Sequence, residues 1–551
     1  MERIDPAAGQ PPLPVDRFLV DERPGEEAVP LDVLFVGGGP AGLAGAIELA
    51  RLAAADRERG GSLGELEIGV LEKSAELGEH CLSGAVVDPA PFRELFPGTA
   101  IADLPFRGKV TGDRVYLLTE KGRVRLPTPP TMRNHGHHVA SLCEIVRWLG
   151  GRAEELGIHL FTGFPADSLL LERERVIGVR TTPSGLDRAG DPAAGYMPPT
   201  DLSARVTVLA EGTRGPLSEA WRARAGIGSD NPQIYALGVK ELWRVGRPLE
   251  AVVHTLGWPL PRDAFGGSFL YPMGEDLAAL GLVVGLDAPY VDLDVHDWLQ
   301  ALKRHPLFDR VLDGGELVEW GAKTIPEGGF HSLPDRLSGA GVLLVGDAAG
   351  MVDVAALKGI HYAMWSGIEA ARAIHAALAA DDVSAAGLAP YDRVIRERLR
   401  ASALYRNRNM RLAFKSGFVG GGVKAGLMQL TRGAFPGRRI ATGTDADEPR
   451  TKLAGIRPVP DGVRVFAKVD AVYRSGNATR DDIPSHLIVG EDVPAGLVGF
   501  YEHLCPAGVY ERRDGRLVVN APNCIDCKAT DVVGPRWTPR EGGSGPAYKR
   551  M

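Results

Sequence analysis

Residues 33–42 read Val-Leu-Phe-Val-Gly-Gly-Gly-Pro-Ala-Gly. The apolar run predicts a buried parallel strand entering Gly37-x-Gly39-x-x-Gly42, and residues 43–52 predict an Ala-rich helix. In a dinucleotide site the first glycine permits the tight turn, the second lets a pyrophosphate approach the backbone, and the third lets helix and strand pack closely. The helix N-terminus then offers free N–H groups and a positive dipole end to phosphates. Residues 64–71 predict a second strand ending at Glu72, thirty residues past Gly42. A carboxylate there is placed for ribose hydroxyls, later than the usual spacing because the 53–64 loop is long.

A second motif selects the dinucleotide. Residues 341–345 predict another buried strand, followed by Gly346-Asp347-Ala348-Ala349-Gly350 and a helix over 358–378. A strand-end Asp347 suits the ribityl hydroxyls of a flavin, and the next helix aims its positive end at the ring edge that gains charge on reduction. Gly37 to Gly42, Glu72 and Gly346 to Gly350, in that order, point to FAD. The run 420–426 resembles a variant fingerprint, but 415–417 interrupts any preceding strand and no strand-end acid follows. Direct NAD(P)H binding is therefore not expected, and electrons should come from another protein.

Between the motifs the texture changes. A Gly/Pro-rich insertion occupies 183–200, residues 204–212 return to the sheet, and 233–328 carry short alternating apolar runs that predict an antiparallel second domain. Residues 1–30, rich in proline and acids, predict a flexible lead-in and resemble neither a signal nor a transit peptide. No apolar run approaches the ~18 residues of a membrane span. A net charge of −7 argues against wholesale nucleic-acid binding. Yet residues 401–440 contain no acid, and eight basic residues there alternate with Leu412, Phe414, Phe418, Val419, Leu427 and others. Such a stretch suits an anionic membrane surface: charges meet headgroups while apolar side chains enter the interface. The expected location is peripheral, on the cytoplasmic face of the cell membrane.

Three of the five cysteines fall in the last fifty residues. Cys505-Pro506 is followed by Cys524-Ile525-Asp526-Cys527, a pattern of iron–sulfur ligation, with zinc as the competing metal. Either normally takes four ligands. Three residues past Cys527 the chain has Thr530, so the fourth ligand is open among Asp526, Asp531, His503, the Thr530 hydroxyl and solvent. A three-iron cluster and an empty site also remain open.

The chain resembles the electron transfer flavoprotein–ubiquinone oxidoreductase family from residue 32 to its last residue. The resemblance is carried by Leu82-Ser83-Gly84-Ala85, Asn134-His135-Gly136, Lys240-Glu241-Leu242-Trp243, Gly266-Gly267-Ser268-Phe269-Leu270-Tyr271 and Cys505-Pro506-Ala507-Gly508-Val509-Tyr510. It implies an α/β (α+β overall) chain with a Rossmann-like FAD domain, an antiparallel-sheet quinone domain and a C-terminal ferredoxin-like domain. The corresponding division is a flexible segment 1–30, FAD domain 31–232, quinone domain 233–328, FAD domain resumed over 329–400, a basic and apolar membrane segment 401–450, and the iron–sulfur domain 451–551. It implies FAD and a 4Fe–4S cluster as cofactors, electron transfer flavoprotein as donor, and ubiquinone or menaquinone as acceptor. Ser83, Gly84 and Gly359 are implied beside the flavin, Gly266 and Gly267 in the quinone pocket, Tyr510 beside the cluster, and Cys505, Cys524 and Cys527 on it. The family has Asn where this chain has Asp353, and an ionised carboxylate there is expected to lower the flavin potential. The family's Thr-Cys is Ala529-Thr530 here. The competing expectation is an isoprenoid double-bond reductase or hydroxylase on the same flavin fold, with the tail as a docking module.

Overall fold

The computed structural model describes residues 3–274 and 276–551. The first sheet has the strand order Leu19–Val20, Ala166–Glu172, Arg175–Thr181, Asp201–Leu209, Val29–Val36, Ile68–Glu72, His159–Thr162. Val342–Leu344 runs parallel to the end of Asp201–Leu209, pairing Val208 with Leu343. Val33, Leu34 and Phe35 are fully buried on both faces of this sheet, which is why the strand reads as a continuous apolar run. Helices Pro40–Glu58, Leu142–Glu155 and Ile360–Ala379 cover it. The small residues of the first and third let their backbones approach: a Cβ on Gly367 would lie 2.0 Å from the Ala41 carbonyl.

The second sheet has seven strands, ordered Glu316–Pro326, Tyr235–Arg244, Leu277–Gly285, Gly266–Pro272, Val252–Gly257, Asp113–Leu118, Arg123–Leu126. It is antiparallel except where Val252–Gly257 runs parallel to Asp113–Leu118. Two of its strands thus come from the stretch assigned by sequence to the first part of the FAD domain, so the boundary at 232 does not divide the sheets. Helices Val295–Lys303 and Pro306–Leu312 pack on its outer face. Residues 451–551 form short elements, including the hairpin Tyr510–Arg513 with Arg516–Val519, that close against the second sheet.

The N-terminal segment is not a loose lead-in. Ile4 exchanges two backbone hydrogen bonds with Arg450 (3.0 and 2.8 Å), Phe18 is fully buried, and Leu19–Val20 adds a parallel edge strand. Gln10 Nε2 donates to the carbonyls of Asp531 and Val532. The strap carries two short helical turns, Pro6–Gly9 and Val15–Phe18, and the apolar pair Phe18-Leu19, masked in the sequence by acidic neighbours, anchors it. The 183–200 insertion is a hairpin, Ser184–Leu186 with Pro192–Met197. It meets the C-terminal region through Gly185 N, which donates to Glu541 Oε2 at 2.8 Å.

Candidate functional site: a through-cavity and a buried thiol cage

The glycine turn opens one end of a cavity of about 1300 Å³ between the two sheets. Gly37 has φ +116°, and a Cβ there would lie 2.3 Å from the Ala210 carbonyl. A Cβ on Gly42 would lie 2.1 Å from the Gly37 carbonyl, whereas Gly39 faces open space. Gly37 and Gly39 line the cavity and Gly42 stands behind them, holding helix against strand. Glu72 also lines it. Its Oε2 accepts from Gly38 N at 2.9 Å and its Oε1 from Ser74 N at 2.9 Å, so the strand-end acid braces the turn.

Ser83, Gly84, Gly346, Asp347 and Gly359 line the same cavity. Asp347 is partly buried and faces the cavity. Burial pushes its carboxyl up to about 6, with Lys323 opposing. Neither Pro40–Glu58 nor Ile360–Ala379 has a side-chain N-cap, and residues of the first turn of each, Pro40, Ala41 and Ile360, line the cavity. Two helix N-termini with free N–H groups therefore converge on it, an arrangement that receives phosphate and a negatively polarised ring edge.

At the other end Gly266 and Gly267 open the strand Gly266–Pro272 and line the cavity. A Cβ on Gly266 would lie 2.2 Å from the Val283 carbonyl, and one on Gly267 2.8 Å from the Thr255 carbonyl. No side chain fits at either position, so the wall there is backbone flanked by Leu256 and Phe265. Arg411 locks the following segment to this sheet. It donates to Glu327 Oε2 at 2.7 Å and Asp287 Oδ1 at 2.8 Å, and its guanidinium lies 3.9 Å from the centre of the Phe265 ring. Helix Phe418–Leu430 closes the cavity with Phe418, Gly422, Gly426 and Leu430. Its other face is open: Val419 is 79%, Val423 63% and Leu427 42% exposed. The glycines of 420–426 thus belong to a thin helix and not to a nucleotide turn.

Cys505, Cys524 and Cys527 line a second, small buried cavity together with Tyr510 and Thr530. Burial raises all three thiols, Cys524 to about 12. Three soft donors on one cavity, with no charged side chain other than Lys528 in its wall, fit an iron–sulfur cluster, whose metal charge favours the thiolates. Lys528 and Trp537 line both cavities. The strand Glu316–Pro326 joins them too: Thr324 donates from its N (3.0 Å) and its Oγ1 (2.6 Å) to the Cys527 carbonyl, and Lys323 Nζ donates to the Asp526 carbonyl at 3.2 Å.

Comparison with known proteins bears on the whole chain. Residues 235–325 match the family described as ETF-QO, ubiquinone-binding, and residues 462–549 match electron transfer flavoprotein-ubiquinone oxidoreductase, 4Fe-4S. A mitochondrial electron transfer flavoprotein-ubiquinone oxidoreductase of Oryza sativa subsp. japonica is 37% identical over 96% of this chain and 94% of that protein. The chain belongs to the electron transfer flavoprotein–ubiquinone oxidoreductase family. The Homo sapiens family member is also 37% identical, over 96% of this chain and 90% of that protein. A solved geranylgeranyl bacteriochlorophyll reductase-like structure from Thermoplasma acidophilum shares the fold, with TM-score 0.55 and 21% identity over 78% of this chain and 94% of its own.

Within this family member two expected positions fall elsewhere. Asp353 is buried behind the cavity, where Asn407 Nδ2 donates to both its oxygens at 3.1 and 2.9 Å. Burial raises its pKa. It fastens the loop 352–359 to the segment that leads into the apolar helix and does not line the cavity, although its neighbours Val352 and Val354 do. Gly350, at φ +75°, also lies outside the lining, with Gln233 Nε2 2.1 Å from its would-be Cβ.

Sequence reasoning missed several wall residues. Lys240 is buried in the cavity wall with no hydrogen-bond partner for Nζ, and burial pushes it down to about 8. Lys358 Nζ donates to Asn134 Oδ1 at 2.6 Å, and His254 Nε2 meets Tyr271 Oη at 2.6 Å. Lys240-Glu241 inside an otherwise apolar strand was the available signal. A charged pair that a strand buries on both faces needs a reason.

Proposed function

We propose that this chain takes electrons from reduced electron transfer flavoprotein and passes them to a membrane quinone, using FAD and an iron–sulfur cluster. The observation that carries this is the single cavity running from the glycine turn at Gly37 to the apolar helix Phe418–Leu430, with the thiol cage behind a wall formed by Lys528 and Trp537. It exceeds a drug-sized site of ~300–1,000 Å³, leaving room for a dinucleotide and a second ligand.

Gly37, Gly39 and the first turn of Pro40–Glu58 would hold the pyrophosphate, Glu72 the adenosine ribose, and Asp347 the ribityl chain. Ser83, Gly84 and Gly359 would border the ring. Bound FAD exchanges one or two electrons, matching a one-electron protein donor to a two-electron quinone. Gly266 and Gly267 would present backbone N–H and C=O groups to the quinone, whose tail leaves along Phe418–Leu430. Cys505, Cys524 and Cys527 would ligate the cluster, and Tyr510 would tune it from its second shell of contacts. No catalytic acid or base is required of the chain for the electron steps.

The exposed Val419, Val423 and Leu427, flanked by Lys424 and Arg432, support peripheral attachment at the cytoplasmic face of the cell membrane. Among the described residues no helix is long and apolar enough to cross a membrane. The domain division suited to these roles is the one read from sequence, amended so that residues 113–126 join the quinone sheet and residues 3–30 act as a strap.

The test is anaerobic rapid mixing of the FAD-loaded protein with reduced electron transfer flavoprotein. The reading requires bleaching of the bound flavin and reoxidation on adding a short-chain quinone. Bleaching by NAD(P)H alone, with none by the flavoprotein, would favour the reductase or hydroxylase alternative.

A further inference from the structure

The thiol cage has three thiols and a fourth corner without one. Cys505, Cys524, Cys527 and Thr530 share one buried cavity, and four-iron clusters ordinarily take four thiolates. Thr530 opens into that cavity from the short helix Ala529–Val533, with its Oγ1 3.4 Å from Tyr510 Oη. A neutral alcohol is a poor exchange for a soft, charged thiolate on iron.

The other ligand types nearby are committed elsewhere. Asp526 Oδ1 accepts from Trp537 Nε1 and Arg540 Nη2, both at 2.9 Å, with the Cys524 thiol farther off at 3.8 Å, and Oδ2 pairs with Lys73. Asp531 Oδ2 accepts from Arg214 Nε at 2.6 Å and Oδ1 from Trp537 N at 2.9 Å. His503 lies 3.0 Å from Arg457 Nη2 and 3.8 Å from Asp294. None of the three lines the thiol cavity.

His486 is the nearest rival. It is buried, its Nε2 has no partner, and it offers a ring nitrogen within 4.8 Å of Cys524 Sγ and an Asp526 oxygen. Yet its neighbour Leu487, not His486, lines the cavity. Its ring packs edge-on against Trp537, with ring centres 6.3 Å apart.

We propose that the cluster of this chain is held by Cys505, Cys524 and Cys527 alone, and that the iron facing Thr530 has no protein thiolate and leaves on oxidation. This rests on the iron–sulfur reading above. In the step, a four-iron core of charge 2+ gives one electron to the oxidant and releases one ferrous ion, leaving a three-iron core of charge 1+ with all four sulfides. The reverse takes one ferrous ion and one electron from a reductant.

The experiment uses the full-length protein, purified anaerobically, treated with ferricyanide beside a ferrous chelator, then with ferrous iron and dithionite. Iron, sulfide and EPR are read at each stage. Wild type should release one iron in four, keep its sulfide, gain an EPR signal in the oxidised state, and lose that signal on restoration. Thr530→Cys should keep four irons and stay EPR-silent when oxidised. Thr530→Ala should behave as wild type, because no thiolate is lost, and keeps the test open if the cysteine variant does not fold. A wild type that retains four irons after oxidation overturns the proposal and leaves the iron–sulfur reading intact. So do iron release from Thr530→Cys equal to wild type, and imidazole-nitrogen coupling to the cluster. Absence of both iron and sulfide overturns the proposal and the reading together.

Discussion

The apolar face of helix Phe418–Leu430 makes a quantitative prediction about membrane attachment. Val419, Val423 and Leu427 stand 79%, 63% and 42% exposed at four-residue spacing on one helix face. Complete transfer of an aliphatic side chain from water is worth ~1.5–3 kcal/mol. Scaled by these exposures, the three contribute about 3.5 kcal/mol on entering an interface. Basic side chains near an anionic surface add ~1 kcal/mol each, but Arg411 is consumed by Asp287 and Glu327, and Lys415 by Glu448. Lys424, Arg432 and Arg438, which form none of the ion pairs above, are left for headgroups. The triple substitution Val419→Ser, Val423→Ser, Leu427→Ser should therefore weaken binding to anionic vesicles ~300-fold, at ~1.4 kcal/mol per decade. Sedimentation with vesicles rich in phosphatidylglycerol measures it. Thermal unfolding should change far less than vesicle binding, because Val419 and Val423 already face water and only Leu427 is more than half covered. Vesicle binding within threefold of the parent would refute the assignment of this face to the membrane.

Three other perturbations test the packing beneath the site. Lys303 Nζ sits 2.9 Å from both oxygens of Glu241, and the pair is wholly buried. Lys303→Met leaves that carboxylate without its cation and should cost ~3–5 kcal/mol, seen as a lower urea midpoint that Glu241→Gln largely restores; an unchanged midpoint would contradict the pairing. Gly266→Ala sets a Cβ 2.2 Å from the Val283 carbonyl. The strand must shift, at ~1–3 kcal/mol, and quinone reduction should fall at least tenfold while flavin reduction by the donor protein is kept. Equal loss of both would place the damage elsewhere. Asp297 is pushed up to about 6 by burial and by Asp294. The folded state thus holds its proton more tightly than an unfolded carboxyl at ~3.9. This favours folding at low pH and is lost as pH rises through about 6. Asp297→Asn should stabilise the protein by up to about 3 kcal/mol at pH 7.5 and by little at pH 4, read from unfolding midpoints; no difference between the two pH values would contradict it.

The glycine turn, Glu72, Gly346-Asp347 and the cysteine set were legible because each is local: a few residues whose spacing alone fixes a backbone shape or a ligand set. The acid-free stretch was legible for the same reason, although its geometry was not. Sequence could not show that Gly422 and Gly426 thin the inner face of one helix while Val419 and Val423 stand on its outer face. What escaped was long-range. Asp353 is held by Asn407, 54 positions away, a contact that no local spacing reveals. The 113–126 hairpin joins the second sheet by pairing with Val252–Gly257, which no local pattern announces. The strap at 3–20 was obscured because its acids and prolines outnumber the two residues, Phe18 and Leu19, that anchor it.

The most direct test of the central claim is the stoichiometry of anaerobic electron transfer. With reduced electron transfer flavoprotein as sole donor and a short-chain quinone as acceptor, one quinol should form for every two electrons supplied, only when FAD is bound. Formation of no quinol, or turnover sustained by NAD(P)H in place of the flavoprotein, would contradict it.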